Sequence, residues 1–272
     1  MHPRTGLPEP DPHTPPPGGT VTHLDAEAEG GDGGARHGSH RCPAPRTRAV
    51  LASTARTPLE AALTRPRPAV LFDLGNVLFC DPWETLLLTP GAGLADRMGL
   101  DHALVAAAAR RLWDRYSLVE ADEHAYWGEL GRALDVVIDP ARVAQAEAEL
   151  LRPGPHARPM LASAAAGSRA VGIVSNNTSF WYAKQARVLG LDRYVDPSLV
   201  FLSCRLGVSK GTAGRGLLEL AAERADPARS LVVEDRRTHV ERAAAVGFEA
   251  VRFCLRTSRG VPAPELLERI SA

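Results

Sequence analysis

Five short runs of apolar residues follow one another along the chain, and none of them alternates with polar residues. Continuous Val, Ile, Leu and Phe runs of this length are typical of strands buried on both faces of a parallel sheet. The pattern therefore predicts five parallel strands. The runs are AVLFD (69–73), AVGIVS (170–175), LVFLS (199–203), SLVVED (230–235) and EAVRF (249–253).

Stretches with helical periodicity separate the later runs. They are FWYAKQARVL (180–189), GTAGRGLLELAAER (211–224) and HVERAAAV (239–246). Gly247 follows the last of them, where a glycine commonly ends a helix. Strands that alternate with helices predict a doubly wound α/β fold, in which helices cover both faces of a parallel sheet.

The first two runs are separated by far more chain than one crossover needs. Apolar positions recur with helical spacing over 104–116 and 122–134, and Asp139-Pro140 marks the start of a further helix over 141–151. The sequence therefore predicts an inserted α-helical cap, residues 82–168. Residues 69–81 and 169–272 are then expected to form the α/β core.

The beginning of the chain, residues 1–68, has a different composition. Pro and Gly are dense there and large apolar residues are sparse. Such a segment cannot bury enough apolar surface to offset its ordering entropy, so we expect a disordered tail. No apolar stretch follows a basic start, as a signal peptide would require.

Overall composition narrows the possible functions. Lys plus Arg and Asp plus Glu both number 32, and this zero net charge argues against a nucleic-acid binder. The sequence contains no run of 18 or more apolar residues, so it predicts no membrane span. The four cysteines form no C-x-x-C pair, so we expect a reducing, cytoplasmic setting. They are Cys42, Cys80, Cys204 and Cys254.

Polar side chains with complementary chemistry stand at the ends of the predicted strands. Because ligands bind at the carboxyl ends of parallel strands, we expect these side chains to converge. Several carboxylates together suit Mg²⁺, and one of them can attack phosphorus, while hydroxyl and ammonium groups bind phosphoryl oxygens. The pattern predicts Mg²⁺-dependent phosphoryl transfer. The residues are Asp73, Ser175, Asn176, Lys210, Glu234 and Asp235.

The order of these motifs is hhhhDxGNV, hhhhSNN, GxxK and hhhED, where h is an apolar residue. With a helical insert between the first two motifs, this order resembles the haloacid dehalogenase (HAD) superfamily, and its phosphatase branches most. The resemblance covers about residues 69–253. It implies a Rossmann-like core and a hydrolase that acts on a small soluble phosphorylated metabolite, of the sugar-phosphate or nucleotide type, through an aspartyl phosphate.

The resemblance also implies roles for individual residues. Asp73 corresponds to the nucleophile and Ser175 to the phosphate-binding hydroxyl, beside which Asn176 would also contact phosphate. Lys210 corresponds to the lysine that holds nucleophile and phosphate together.

A metal site is implied in the same way. Its ligands are Asp73, the backbone carbonyl of Gly75, and Asp235, with Glu234 bound directly or through water. The implied metal is Mg²⁺.

The sequence departs from the family pattern at Gly75, where a second Asp usually acts as general acid and base. Gly75 keeps the carbonyl and lacks the carboxyl group, so water, Glu234 or the cap residue His124 would have to supply the proton. A second departure is Gly211-Thr212, where the family commonly has Pro after the lysine.

Two other functions remain open at this stage. The missing carboxyl group at Gly75 is compatible with a weakly active or inactive protein that binds a phosphorylated ligand. A haloacid dehalogenase would use the same Asp73 nucleophile, but it needs no metal and would leave Glu234-Asp235 with little purpose.

Overall fold

The structure, a computed structural model, describes residues 66–258 and 260–272. Nearly all of the predicted tail lies outside these residues. Arg67 lies just before the predicted start of the core at position 69 and is hydrogen-bonded to the core. Its backbone N–H donates to the carbonyl of Arg224 (3.1 Å), and its carbonyl accepts from the N–H of Asp226 (2.9 Å).

All five predicted strands are present, and they form one parallel sheet in the order β3-β2-β1-β4-β5. β1 is central, and its Phe72 lies opposite Ile173 of β2 and Val233 of β4. The chain builds the sheet outward from β1 in one direction and then in the other, which confirms the doubly wound α/β fold. The strands are β1 (Ala69–Phe72), β2 (Ala170–Ser175), β3 (Val200–Leu202), β4 (Leu231–Glu234) and β5 (Glu249–Arg252).

Burial on both faces of the sheet explains the continuous apolar runs of β1, β2 and β4, whereas β5 lies at the edge of the sheet and its Glu249 and Arg252 are exposed. Val70 and Phe72 of β1 pack into one hydrophobic cluster, and Ala69 and Leu71 pack into another. Successive strand residues point to opposite faces, so a strand covered on both sides needs apolar side chains at every position.

Between β1 and β2 the chain is helical, as predicted. Asp101, Asp122 and Asp139 each cap a helix by accepting a hydrogen bond from a backbone N–H of its first turn. The helices are α1 (Pro82–Leu88), α2 (Leu94–Met98), α3 (His102–Tyr116), α4 (Glu123–Leu134), α5 (Pro140–Leu150) and α6 (Ala157–Ala166).

After β2, one helix differs from its prediction. The stretch 211–224 was predicted to be helical, with a start weakened by its glycines, and the helix begins only at Leu217. Gly214 has a φ of +72°, and the N–H of Leu217 donates to the carbonyl of Ser209, so the preceding residues form a loop. The helices are α7 (Ser179–Leu189), α8 (Ser203–Leu206), α9 (Leu217–Ala222), α10 (Arg237–Val246) and α11 (Pro264–Ser271).

The inserted helices contact the rest of the fold in two ways. α6 packs against β2 and α11, so the last helix of the predicted cap lies on the core. Aromatic rings of α3, α4 and α7 form a second contact, with ring centroids of the packed pairs 4.9–6.2 Å apart. These rings belong to Trp113, Tyr116, Tyr126, Trp127, Phe180 and Trp181. In the described part of the chain, every helix is too short or too polar to cross a membrane.

Candidate functional site

Asp73 lies at the carboxyl end of the central strand. Its backbone N–H donates to the carbonyl of Val233 on β4 (2.9 Å), so the sheet ladder fixes its position. Its Oδ1 accepts from the N–H of Leu74 (2.7 Å), and the residue is only 7% exposed. The strand order therefore places the predicted nucleophile between the ends of β2 and β4.

Lys210 reaches this carboxylate from the loop after α8. Its backbone N–H donates to Asn176 Oδ1 (2.9 Å), and the N–H of Ser209 donates to the hydroxyl of Thr212 (2.9 Å), which holds the loop. The side chain is 1% exposed, and its Nζ lies 2.9 Å from Asp73 Oδ2. Thr212 therefore takes part in positioning the lysine.

Glu234 and Asp235 follow β4 on the other side of the nucleophile. Glu234 forms an ion pair with Lys210 through one carboxylate oxygen. Its other oxygen accepts from the backbone N–H of Arg236 (3.1 Å) and lies 3.2 Å from His239 Nδ1. Both carboxylate oxygens of Glu234 therefore have partners among the described residues.

The pKa values of Lys210 and Glu234, which are both buried, reflect the contact between them. Burial alone lowers the pKa of Lys210, but the Asp73 and Glu234 carboxylates raise it above its ordinary value. Burial alone raises the pKa of Glu234, but Lys210 and His239 lower it below its ordinary value. Both groups are therefore charged at neutral pH.

Asp73 and Asp235 are less well compensated. Burial, together with the Glu234 charge, raises the pKa of Asp73, although Lys210 and Ser175 lower it. Burial and the Asp73 charge raise the pKa of Asp235 to about 7. Asp235 Oδ2 accepts one long hydrogen bond, from Asn76 Nδ2 (3.4 Å). Asp235 thus lies near the Asp73 charge with a single long hydrogen bond of its own, which is an arrangement that a cation would relieve.

The donor set fits Mg²⁺. Asp73, Glu234 and Asp235 each offer an oxygen, and these three oxygens lie within 4.8 Å of one another. The carbonyl oxygen of Gly75 accepts no hydrogen bond from any described residue, so it is available as a fourth ligand. Oxygen atoms, and carboxylates above all, are the ligands that Mg²⁺ prefers.

The two polar residues after β2 have different surroundings. Ser175 is buried, and a hydrogen bond from its side chain is one of the interactions that lower the pKa of Asp73. The Asn176 side chain accepts the backbone N–H of Lys210, so it also holds the lysine loop. The contact of Asn176 with phosphate stays a prediction.

His124 lies elsewhere. It is exposed on α4 and lines a groove of about 840 Å³ together with Val136, Val143 and Lys184. Asp73, Glu234 and Asp235 do not line this groove. The structure thus separates His124 from the carboxylate cluster.

Sequence reasoning missed three residues that lie near the nucleophile. Arg236 lowers the pKa of Asp235 and of Asp81 through its charge, and His239 contacts Glu234. Asp81 is 8% exposed, and burial, with the Glu84 and Asp73 charges, raises its pKa to about 7. The sequence did hold one signal, because Asp81 precedes Pro82 as an N-cap precedes a helix.

No protein-family model matches the chain, and no curated protein matches it. Solved structures do match. A HAD family enzyme from Bacteroides thetaiotaomicron is 12% identical over 69% of this chain and 94% of that chain, with a TM-score of 0.54. The magnesium complex of that enzyme matches with the same identity and TM-score, over 70% of this chain and 94% of the other.

L-2-haloacid dehalogenase from Xanthobacter autotrophicus is 23% identical over 74% of this chain and 86% of that chain, with a TM-score of 0.45. Because that TM-score is low, the comparison depends on the Bacteroides enzyme. The chain therefore shares the fold of this HAD family enzyme, which is the fold that the resemblance drawn from its four motifs implies.

Proposed function

We propose that this protein is a Mg²⁺-dependent phosphomonoester hydrolase that acts on a small soluble metabolite of the sugar-phosphate or nucleotide type. The observation that carries the proposal is the ammonium of Lys210 between two buried carboxylates. It lies 2.9 Å from Asp73 and pairs with Glu234, which leaves Asp73 beside a cation and next to an oxygen-rich metal site.

The proposed first step is transfer of the phosphoryl group to the protein. An oxygen of the Asp73 carboxylate attacks phosphorus, and the bond between phosphorus and the ester oxygen breaks. Lys210 and the hydroxyl of Ser175 are placed to donate to phosphoryl oxygens as charge develops on them. In the second step, water attacks the same phosphorus and the bond to Asp73 breaks.

Mg²⁺ would be held by Asp73, Asp235 and the Gly75 carbonyl, and it would reduce the repulsion between the carboxylates and the anionic substrate. Because Lys210, His239 and the Arg236 N–H occupy the oxygens of Glu234, we propose that Glu234 reaches the metal through water. The magnesium complex of the Bacteroides enzyme, which shares the fold, supports this choice of ion.

A cytoplasmic setting is part of the proposal. Cys80, Cys204 and Cys254 are free thiols, which fits a reducing compartment.

The test is phosphate release from an aryl phosphate and from a panel of sugar and nucleotide phosphates, with Mg²⁺ and with EDTA. We expect Mg²⁺-dependent release that Asp73→Asn abolishes, because an amide cannot act as the nucleophile. The matched control is Asp101→Asn, the same substitution at an exposed helix cap, which should keep full activity.

Equal turnover by Asp73→Asn would disprove the aspartyl phosphate. Folded protein that binds Mg²⁺ and phosphate but releases nothing would instead indicate a binding protein. A 2-haloacid belongs in the same panel, since halide release without Mg²⁺ would indicate a dehalogenase.

A further inference from the structure

The turn after β1 brings Asp81 back toward Gly75. The N–H of Asn76 donates to the carbonyl of Phe79 (2.7 Å), and the N–H of Phe79 donates to the carbonyl of Leu74 (2.9 Å). Asn76 has a φ of +56°, in the left-handed region that Asn adopts more readily than most residues. The turn therefore brings Gly75 and Asp81, which are six positions apart in the sequence, close together in space.

The position of the Asp81 carboxyl group can be stated from that distance. A Cβ atom placed on Gly75 would lie 3.6 Å from Asp81 Oδ2. A side chain at position 75 would thus begin in van der Waals contact with this oxygen. Gly75 precedes the turn and Asp81 follows it. The Asp81 carboxyl group therefore borders the space that a side chain at position 75 would enter.

Asp81, like Asp235, has few hydrogen-bond partners, but unlike Asp235 it is not part of the candidate metal site. Its Oδ1 accepts one long hydrogen bond from the N–H of Glu84 (3.4 Å), and its Oδ2 accepts none from the residues that the structure describes. It is nevertheless buried, and it lies close enough to Asp73 for the two charges to interact. Glu234, by contrast, has a partner on each oxygen.

We propose that Asp81 is the proton donor and acceptor of this hydrolase, in place of the carboxyl group that Gly75 lacks. The inference rests on the proposed function. As an Asp73 oxygen bonds to phosphorus and the bond to the ester oxygen breaks, the Asp81 carboxyl group gives its proton to that oxygen, and the alcohol leaves. The Asp81 carboxylate then takes a proton from the water whose oxygen bonds to phosphorus. The bond to Asp73 breaks, and inorganic phosphate leaves.

The competing explanation is that Asp81 only caps α1. Asn caps helices about as well as Asp, so Asp81→Asn keeps the cap and removes the proton. Asp81→Ser is a second variant that caps by a hydroxyl. Unfolding midpoints of both variants, beside the unaltered protein, establish that each is folded.

The experiment compares a poor and a good leaving group at saturating Mg²⁺. With an alkyl phosphate, Asp81→Asn should lower kcat by about 10²- to 10⁴-fold, because the alkoxide leaves without a proton. With 2,4-dinitrophenyl phosphate the phenolate needs no proton. The variant should release it in a burst of one equivalent per protein, followed by slow turnover, since hydrolysis of the aspartyl phosphate still lacks its base.

A rescue and a control complete the test. Gly75→Asp in the Asp81→Asn background restores a carboxyl group from the other arm of the turn, and we expect it to recover at least tenfold of the lost kcat. Asp101→Asn, which changes a helix cap far along the chain from the site, should leave both esters unaffected.

Two results would overturn the inference while leaving the proposed function intact. One is an Asp81→Asn variant with unchanged kcat on the alkyl phosphate, and the other is an equal loss on both esters without a burst. Absence of release by the unaltered protein from either ester would overturn the proposed function itself, and the role of Asp81 with it.

Discussion

Two regions flank the nucleophile, the end of β4 and the beginning of the helical insert, and a buried acid of the first, Glu234, contrasts with a buried acid of the second, Asp81. Glu234 is 1% exposed and Asp81 is 8% exposed. Glu234 has Lys210, His239 and a backbone N–H as partners, and its pKa lies below the ordinary value. Asp81 has one long hydrogen bond, and its pKa rises to about 7.

The difference shows that the donors around a buried carboxyl group decide its charge. The carboxyl ends of β1 and β4 and the lysine loop converge on Glu234, so its charge is compensated at neutral pH. Among the described residues, no cation forms an ion pair with Asp81, and the more distant Arg236 charge lowers its pKa less than burial raises it. One acid therefore belongs to a fixed ionic framework, and the other is poised to exchange a proton.

Removal of the central cation should have the largest effect on this framework. Lys210→Met leaves two buried carboxylates, Asp73 and Glu234, without their ammonium. We expect the free energy of unfolding at pH 7 to fall by about 3–5 kcal/mol, as measured by urea denaturation with EDTA present. Part of that loss should return on acidification, because a protonated carboxyl group needs no counter-charge.

The chain offers a matched control, since its only other lysine is Lys184. That side chain is 27% exposed and pairs with Glu123 and Glu147. Lys184→Met should lower stability by no more than about 1 kcal/mol, because solvent compensates a partly exposed ion pair. Equal losses in the two variants would show that the buried pairs contribute nothing special.

The sequence was sufficient to predict that the acids at the strand ends lie together, but it did not predict that Asp81 lies beside them. Asp73, Ser175 and Glu234 end strands of one parallel sheet, and all such ends meet at one edge, so strand assignment alone places them together. Asp81 reaches the site through a turn whose geometry depends on the left-handed conformation of Asn76 and its hydrogen bond to Phe79. Hydrophobic periodicity carries no information about such a turn.

The beginning of α9 was missed for a related reason. The apolar positions of 211–224 fit a helix, and periodicity cannot show where a loop replaces its first turns. Ser209 and Thr212 bond to each other and hold the loop around Lys210, and Gly214 adopts a positive φ. These local contacts outweigh the helical pattern, and they place the lysine instead of extending the helix.

Asp81→Asn should change the free energy of unfolding by less than Lys210→Met does, and it should raise this free energy instead of lowering it. Because the pKa of Asp81 rises from an ordinary 3.8 to about 7, the folded state keeps this proton to higher pH than the unfolded state does. Asp81 therefore makes the folded state progressively less stable as pH rises from about 4 to about 7. Asp81→Asn removes this dependence and keeps the helix cap.

We expect Asp81→Asn to gain about 1–3 kcal/mol of stability relative to the unaltered protein between pH 4 and pH 7.5. The measurement is the difference between the two urea-derived stability curves with EDTA present, since subtraction cancels the groups that both proteins share. A difference that does not change with pH would show that Asp81 titrates alike in the folded and unfolded states, and the contrast with Glu234 would be lost.

The smallest effect concerns the outer partner of Glu234. His239 Nδ1 lies 3.2 Å from a Glu234 oxygen that also accepts the N–H of Arg236, while Lys210 holds the other oxygen. His239→Ala removes one of three partners, so we expect a loss of about 0.5–1.5 kcal/mol at pH 7. His102→Ala, which breaks an exposed pair with Asp96, is the control and should change stability by less than about 0.5 kcal/mol.

The size of the His239→Ala loss shows which partner compensates the buried charge of Glu234. If Lys210 provides most of the compensation, the Glu234 carboxylate stays ionised in His239→Ala, and Asp73 keeps its contact with Nζ. A loss as large as that in Lys210→Met would mean that the imidazole is the main partner of Glu234. Lys210 would then compensate chiefly the charge of Asp73. Glu234 would resemble Asp81, because a single contact would account for most of its stabilisation.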